Sequence, residues 1–418
     1  MKIRFICIFL FLMVSMVPMN GDTKPFFKSN LYSFQALRAM AAASSGGADI
    51  GECLAAISKI EDGDDESWYC AWYDLAKRLE AEALEMGSKG HDVSAASLSL
   101  RASNYYRTSE FFLHINPDDP RILETCGRSK ACFLKGIKDQ PITEVEIPFE
   151  GTTLPGYLCL AGETKGPLLI VQTGFDGTAE ELYFVVAQAA LKHGFHCLIF
   201  EGPGQGRVIR QQKIPFRPNW ETVITPVIDF AVSLDQVNPE KIALMGMSFG
   251  GYLVPRALVF EPRIKVGIAN GGVLDFHEVV MADSPPDFEA ILDQEEAKEL
   301  VNKEVLKAME TDAGARWAIG HGMYTFQAKS PVDWFVMSRE YHLRDCIDQI
   351  KCPMLIVDSE NDWQMKGQAQ KFYDGLRCPK EFLLFRAEEG AGVHCQIGAY
   401  ALSGERIFSW LEDQLCFK

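Results

Sequence analysis

The stretch Ile242-Ala243-Leu244-Met245-Gly246-Met247-Ser248-Phe249-Gly250-Gly251 decides the fold. Four apolar residues run into Gly-x-Ser-x-Gly, and Leu253, Ala257 and Leu258 follow at helical spacing. A buried strand, a tight turn and a helix are the setting that holds a serine clear above a sheet. Gly246 and Gly250 carry no Cβ, so strand and helix can approach closely. Ser248 is therefore a candidate nucleophile, at a helix N-terminus whose dipole favours developing negative charge. An ordinary glycine-rich turn is the competing reading, and partners elsewhere in the chain weigh between the two.

On either side of this stretch, short apolar runs alternate with helical patterns. The runs are Leu168–Gln172, Phe195–Phe200, Val266–Asn270, Met354–Asp358 and Phe382–Phe385. Continuous apolar runs separated by helices predict an α/β fold, a mostly parallel sheet flanked by helices. Ahead of them, Glu144–Phe149 and Leu154–Leu160 flank Glu150-Gly151-Thr152-Thr153, which predicts a hairpin. Residues 275–346 are too many for one connection. They contain acidic helical stretches such as Glu295–Met309, so they read as an insertion near the active face. A last helix is expected over Ser403–Gln414.

The pattern changes at Gln140-Pro141. Before it, Trp68, Trp72, Leu75, Leu79, Ala83 and Met86 recur at spacings of three and four, and Asp118-Asp119-Pro120 starts another helix. Residues 23–139 thus read as an all-helical N-terminal domain and 140–418 as the catalytic domain. Residues 1–22 read as a signal peptide, with Lys2 and Arg4 before the apolar run Phe5–Val17. That run is shorter than the roughly 20 residues of a membrane span. Export to a periplasm or out of the cell is expected, a cytoplasmic location being the alternative. Of 12 cysteines, Cys7 would leave with the signal, and the odd remainder is no disulfide framework. A net charge of −16 argues against nucleic acid as a partner, since an acidic surface repels phosphate.

A serine needs a base, and in this type of fold the chain order is serine, acid, histidine. Of eight histidines only His394 follows the last predicted strand, in the glycine-rich loop Glu388–His394. The acid should leave the preceding strand. Asp358, Glu360 and Asp362 are all candidates, and Asp362 is preferred because it lies further into the turn. Its role would be to hold the histidine tautomer. Backbone N–H groups of Phe249 and of Phe175, in Thr173-Gly174-Phe175-Asp176-Gly177-Thr178, are the candidate oxyanion hole. Asp176 reads as a brace of that loop rather than as a catalytic acid. Glu201-Gly202-Pro203-Gly204-Gln205-Gly206 lacks the spacing of a phosphate cradle and reads as a turn at the pocket rim. No metal-ligand spacing occurs, so neither metal nor cofactor is expected.

Several of these motifs in this order resemble the α/β-hydrolases. The subgroup they resemble holds 2,6-dihydroxypseudooxynicotine hydrolase and the fungal polyketide-shortening hydrolases. The residues concerned are Gly174–Thr178, Phe200–Gly206, Glu389–Gly392 before His394-Cys395-Gln396, and Arg101–Arg107 followed by Glu110–Phe112. The resemblance implies an N-terminal helical lid, a triad of Ser248, Asp362 and His394, and a homodimer. It also implies cleavage of a carbon–carbon bond next to an aryl ketone. Tyr105 and Tyr106 are candidate substrate contacts in the lid, with packing between the two parts as the alternative. The expected function is hydrolysis of a small or medium carbonyl substrate, an ester or an aryl ketone. A peptidase with a helical gate and a catalytically silent binding protein are the rivals.

Overall fold

The computed structural model describes residues 26–415, so the expected signal at 1–22 lies outside the described residues. The apolar runs form one eight-stranded sheet. Its strands are β1 (Ile142–Phe149), β2 (Thr152–Cys159), β3 (Gly166–Gln172), β4 (His196–Phe200), β5 (Val237–Met247), β6 (Val266–Asn270), β7 (Met354–Ser359) and β8 (Lys380–Phe385). Their order is β1-β2-β4-β3-β5-β6-β7-β8. The β1–β2 and β2–β4 pairs are antiparallel, and every pair from β4 to β8 is parallel. The hairpin turn is tighter than its sequence implies. Only Glu150 and Gly151 connect the strands, both at positive φ (42° and 83°), the backbone that suits a two-residue turn.

Among the described residues five α-helices precede the sheet: α1 (Asn30–Ala41), α2 (Ile50–Ile57), α3 (Asp65–Ser88), α4 (Asp92–Ser109) and α5 (Pro120–Gly136). Asp119 caps α5 by accepting from the Arg121 N–H, with Pro120 in the first turn. Trp68, Trp72, Leu75, Leu79 and Ala83 of α3 face inward. Their core continues without a break into one face of the sheet, where Phe133 packs on Tyr157 and Tyr183. A fully buried large apolar side chain contributes about 1.5–3 kcal/mol. The N-terminal helices are thus fused to the sheet rather than hung from it.

The catalytic part carries α6 (Ala179–Leu182), α7 (Gln188–Lys192), α8 (Glu221–Val232) and α9 (Gly250–Leu258). The expected insertion between β6 and β7 is five helices: α10 (Phe276–Val280), α11 (Phe288–Leu292), α12 (Glu295–Thr311), α13 (Ala313–Phe326) and α14 (Pro331–Ser338). The chain closes with α15 (Gln368–Gly375) and α16 (Tyr400–Leu415). Helices α8, α9 and the insertion bury the other face of the sheet. Among the described residues no helix is long and apolar enough to cross a membrane.

Among the ion pairs that tie the N-terminal helices to the catalytic part, one is the most deeply buried. Arg210, after β4, bonds Glu110 at the end of α4, and neither side chain is more than 4% exposed. Burial alone would raise the Glu110 carboxyl, but Arg210 and His114 together outweigh it and hold the group at about 2. The pair's contribution is present above the ordinary value of 4.5 and is lost as pH falls towards 2. Arg210→Met would leave a buried carboxylate without its cation. The expected cost is about 3–5 kcal/mol at neutral pH, read as a lowered urea midpoint, with the gap to wild type narrowing in acid.

Candidate active site

The elbow at the end of β5 has the strain that its motif implies. Ser248 sits at φ 59°, a left-handed backbone uncommon for a residue with a side chain. Its N–H is held by the Asn270 carbonyl at 2.8 Å. A Cβ on Gly246 would lie 2.0 Å from the Gly250 carbonyl oxygen, so only glycine lets the strand pass under the helix. The turn lifts the Ser248 hydroxyl towards the end of the sheet where β3, β7 and β8 also finish. A switch point at the carboxyl ends of parallel strands is where open α/β sheets bind ligands.

Three of the sequence candidates meet there. His394 Nε2 lies 2.8 Å from Ser248 Oγ, and His394 Nδ1 lies 2.6 Å from Asp362 Oδ2. The other Asp362 oxygen accepts from the Gln364 and Met365 N–H groups, which fixes the carboxylate plane. The two alternative acids point elsewhere. Asp358 accepts from the Ser359 N–H, and burial pushes its carboxyl up to about 6. Glu360 accepts from the Ala387 N–H. Burial of His394 opposes a charge on its ring, but the Asp362 carboxylate, together with Cys395, outweighs this and lifts it above the ordinary histidine value.

Two glutamines, Gln205 and Gln396, to which the sequence reading assigns no role, hold the loops. Gln396, next but one to His394, bonds Asn270 at the end of β6 and Ser359 at the end of β7. Gln205, read as part of a rim turn, is buried beneath the loop Thr173–Thr178. Its Nε2 donates to the carbonyls of Thr173 (2.8 Å) and Gly174 (2.9 Å). Its Oε1 accepts from the Gly202 N–H and from Gln172. In a trans peptide the Gly174 carbonyl and the Phe175 N–H point opposite ways. Gln205 therefore aims the Phe175 N–H away from itself. Among the described residues, neither the Phe175 nor the Phe249 N–H donates to a protein acceptor. Asp176 does act as a brace, bonded to Arg38 of α1 at 2.9 Å, while Arg38 also grips Glu181.

Ser248 and His394 open into a cavity of about 550 Å³. Its lining is largely aromatic and aliphatic, with Trp317 and Trp334 from the insertion and Trp363 beside Asp362. The N-terminal region reaches the lining through Leu31, Phe34, Gln35 and Arg38 of α1, and residues of the inserted segment supply most of the roof. One expectation needs correction: Tyr105 and Tyr106 do not line the cavity. Tyr105 donates to Glu52 and accepts from the Asp49 N–H, and Tyr106 donates to Glu80. Both are buried inside the helical domain, because α4 turns that face to α3 rather than to the sheet.

The fold and this geometry define an α/β-hydrolase. The prolyl oligopeptidase family model matches residues 224–311, which include the elbow. Hydrolase LUC6 of Fusarium sp is 35% identical over 407 residues, covering 93% of this chain and 97% of its own. The 20-hydroxy-prefusarin hydrolase FUS2 of Gibberella moniliformis is 35% identical over 414 residues, covering 94% and 98%. The crystal structure of 2,6-dihydroxy-pseudo-oxynicotine hydrolase superposes with a TM-score of 0.68 at 20% identity, covering 90% of this chain and 96% of that one. The chain belongs to the α/β-hydrolase family that contains these fungal hydrolases, and it is an enzyme of that class.

Gly174 offers a local test of this packing. A Cβ there would lie 2.6 Å from the Met247 carbonyl oxygen, 2.7 Å from the Phe249 nitrogen and 2.9 Å from Ser248 Cβ. Two of those neighbours are backbone and cannot give way cheaply. Gly174→Ala is expected to fold and to push the 173–176 loop off the elbow. A crystal structure of the variant with the loop unmoved would contradict this.

Proposed function

We propose that this enzyme is a serine hydrolase acting on a medium-sized, largely apolar carbonyl compound, an ester or an aryl ketone. The observation that carries this reading is the Ser248–His394–Asp362 chain, at 2.8 and 2.6 Å, opening into the apolar cavity. Ser248 Oγ attacks the carbonyl carbon while His394 Nε2 takes its proton. Asp362 holds the Nδ1 proton and stabilises the imidazolium. The Phe175 and Phe249 N–H groups receive the oxyanion. As the tetrahedral adduct collapses, His394 returns the proton to the leaving group. That group is an alkoxide from an ester or a ring carbon from an aryl ketone. Water, deprotonated by His394, then releases the acid and frees Ser248.

The roof bears on the peptidase alternative. A polypeptide substrate needs an open groove, whereas α1 and the inserted segment cover Ser248. The expected ranking is turnover of p-nitrophenyl esters or acyl phenols and none of peptide anilides. A fluorophosphonate probe should label wild type and fail on Ser248→Ala. A folded wild type that stays unlabelled would favour a silent binding protein.

Asp362→Asn should lower kcat by about 10³–10⁴-fold, whereas Asp358→Asn and Glu360→Gln should stay near wild type. The acid limb of the kcat/KM profile should lie above pH 6.5, because only neutral His394 can take the proton and Asp362 holds it charged. In Asp362→Asn the main group opposing burial is gone, so the limb should move to lower pH.

Residues 1–22 are proposed to direct export. Sequencing the N-terminus of protein from its native host should show a start beyond Met1, and a start at Met1 on cytoplasmic protein would refute this.

A further inference from the structure

Three consecutive carbonyls of the oxyanion loop are held by side chains. Gln205 takes those of Thr173 and Gly174. The third, on Phe175, lies 2.9 Å from His321 Nε2. His321 is buried on α13, within the inserted segment and outside the serine–histidine–aspartate chain. Its ring packs edge-on against the Phe175 ring at 4.6 Å and stacks on Trp317. Behind it stands His114, also buried, whose Nδ1 lies 2.8 Å from His321 Nδ1. His114 stacks on Tyr324, and its Nε2 lies 3.6 Å from Glu110, the partner of Arg210.

The proton order in this row follows from its end. A carbonyl only accepts, so His321 Nε2 must carry hydrogen. Burial pushes His321 down to about 3, with His114 and Arg210 disfavouring its charge and Asp176 favouring it. The ring is therefore neutral, and its Nδ1 is a lone pair. His114 Nδ1 must donate to that lone pair. A hydrogen bond received at one end of a neutral imidazole strengthens the one it gives at the other.

We infer that His321, backed by His114, is a positioning residue that sets the Phe175 N–H over Ser248, so that the inserted helices complete the oxyanion hole. Neither histidine touches the reacting atoms. Gln205 fixes the peptide before Phe175 and His321 fixes the one after it, and between them the residue cannot rotate. The inference rests on the serine-hydrolase reading. It adds that the roof acts on the transition state as well as on the choice of substrate.

The test measures the second-order rate of fluorophosphonate labelling and, with a p-nitrophenyl ester, kcat and KM separately. His321→Phe keeps the stacking and removes the donor. Loss of a whole oxyanion donor costs about 10²–10³-fold, so a misaligned one should cost about 10- to 100-fold in labelling rate and kcat, with KM within about twofold. His321→Gln restores an N–H at this position and should recover most of the loss, which a purely structural role would not produce. If His321→Phe does not fold, His114→Leu carries the test. It leaves Arg210 and Glu110 paired and should slow labelling several-fold. Labelling at the wild-type rate in a folded His321→Phe or His114→Leu would overturn the inference alone. An unlabelled wild type would overturn the serine-hydrolase reading and this inference with it.

Discussion

A serine held in left-handed backbone at the end of the central strand is the constraint to which the rest of the molecule answers. Such a conformation costs of order 1–3 kcal/mol and persists only where its surroundings over-determine it. Here β5 is buried on both faces from Ile242 to Met247, so it cannot shift. The Ser248 N–H is committed to Asn270 on the next strand, and the backbone on both sides is pressed against Gly250 and Gly174. Each restraint uses a neighbouring strand or loop. The elbow is therefore a property of the whole sheet, and loops that meet Ser248 must do so at the carboxyl edge.

That edge explains the placement of the other side chains. His394 follows β8 and Asp362 follows β7, two strands that lie side by side in parallel register. Neighbouring parallel strands deliver their following loops to the same end, which brings the carboxylate behind the imidazole without a long reach. Gln396 then bonds the ends of β6 and β7 together under the histidine. The backbone at Cys395 and Gln396 is itself left-handed, φ 53° at both, so the histidine loop is held by side-chain bonds rather than by regular structure.

Much of this was legible in the sequence, for a physical reason. Strands buried on both faces leave unbroken apolar runs, so Val266–Asn270 could be read to the residue and the others to within a few. Glycine and proline mark turns because few other residues tolerate the required backbone. Asp362 stood out from Asp358 only by its depth in the turn, and the backbone N–H groups of Gln364 and Met365 that orient it have no residue signature. Tyr105 and Tyr106 show the opposite failure. An aromatic pair on an amphipathic helix looks the same whether it faces a cavity or another helix, and the periodicity of α4 alone does not say which neighbour will cover it. The roof was legible in part. The helical residues ahead of the catalytic part read as a lid, and α1 does reach the cavity while their core merges with the sheet. The insertion, read as lying near the active face, supplies most of the cover.

The loop Thr173–Thr178 is where these parts converge. The N-terminal region reaches it through Arg38 on Asp176, the turn after β4 through Gln205 on two carbonyls, and the insertion through the Phe175 ring and carbonyl. A loop of this kind, free of regular structure, would ordinarily be among the mobile parts of a fold. Here side chains from three regions occupy its polar groups and, among the described residues, leave the Phe175 N–H without a protein acceptor. Such a junction joins shape to chemistry. Any substitution that reseats α1 or α13 to admit a different substrate also moves the Phe175 N–H, the group proposed to face the carbonyl oxygen. Change of substrate by altering the roof is then limited to substitutions that leave Arg38 and His321 in place, and the apolar wall between them is where the cavity is free to vary.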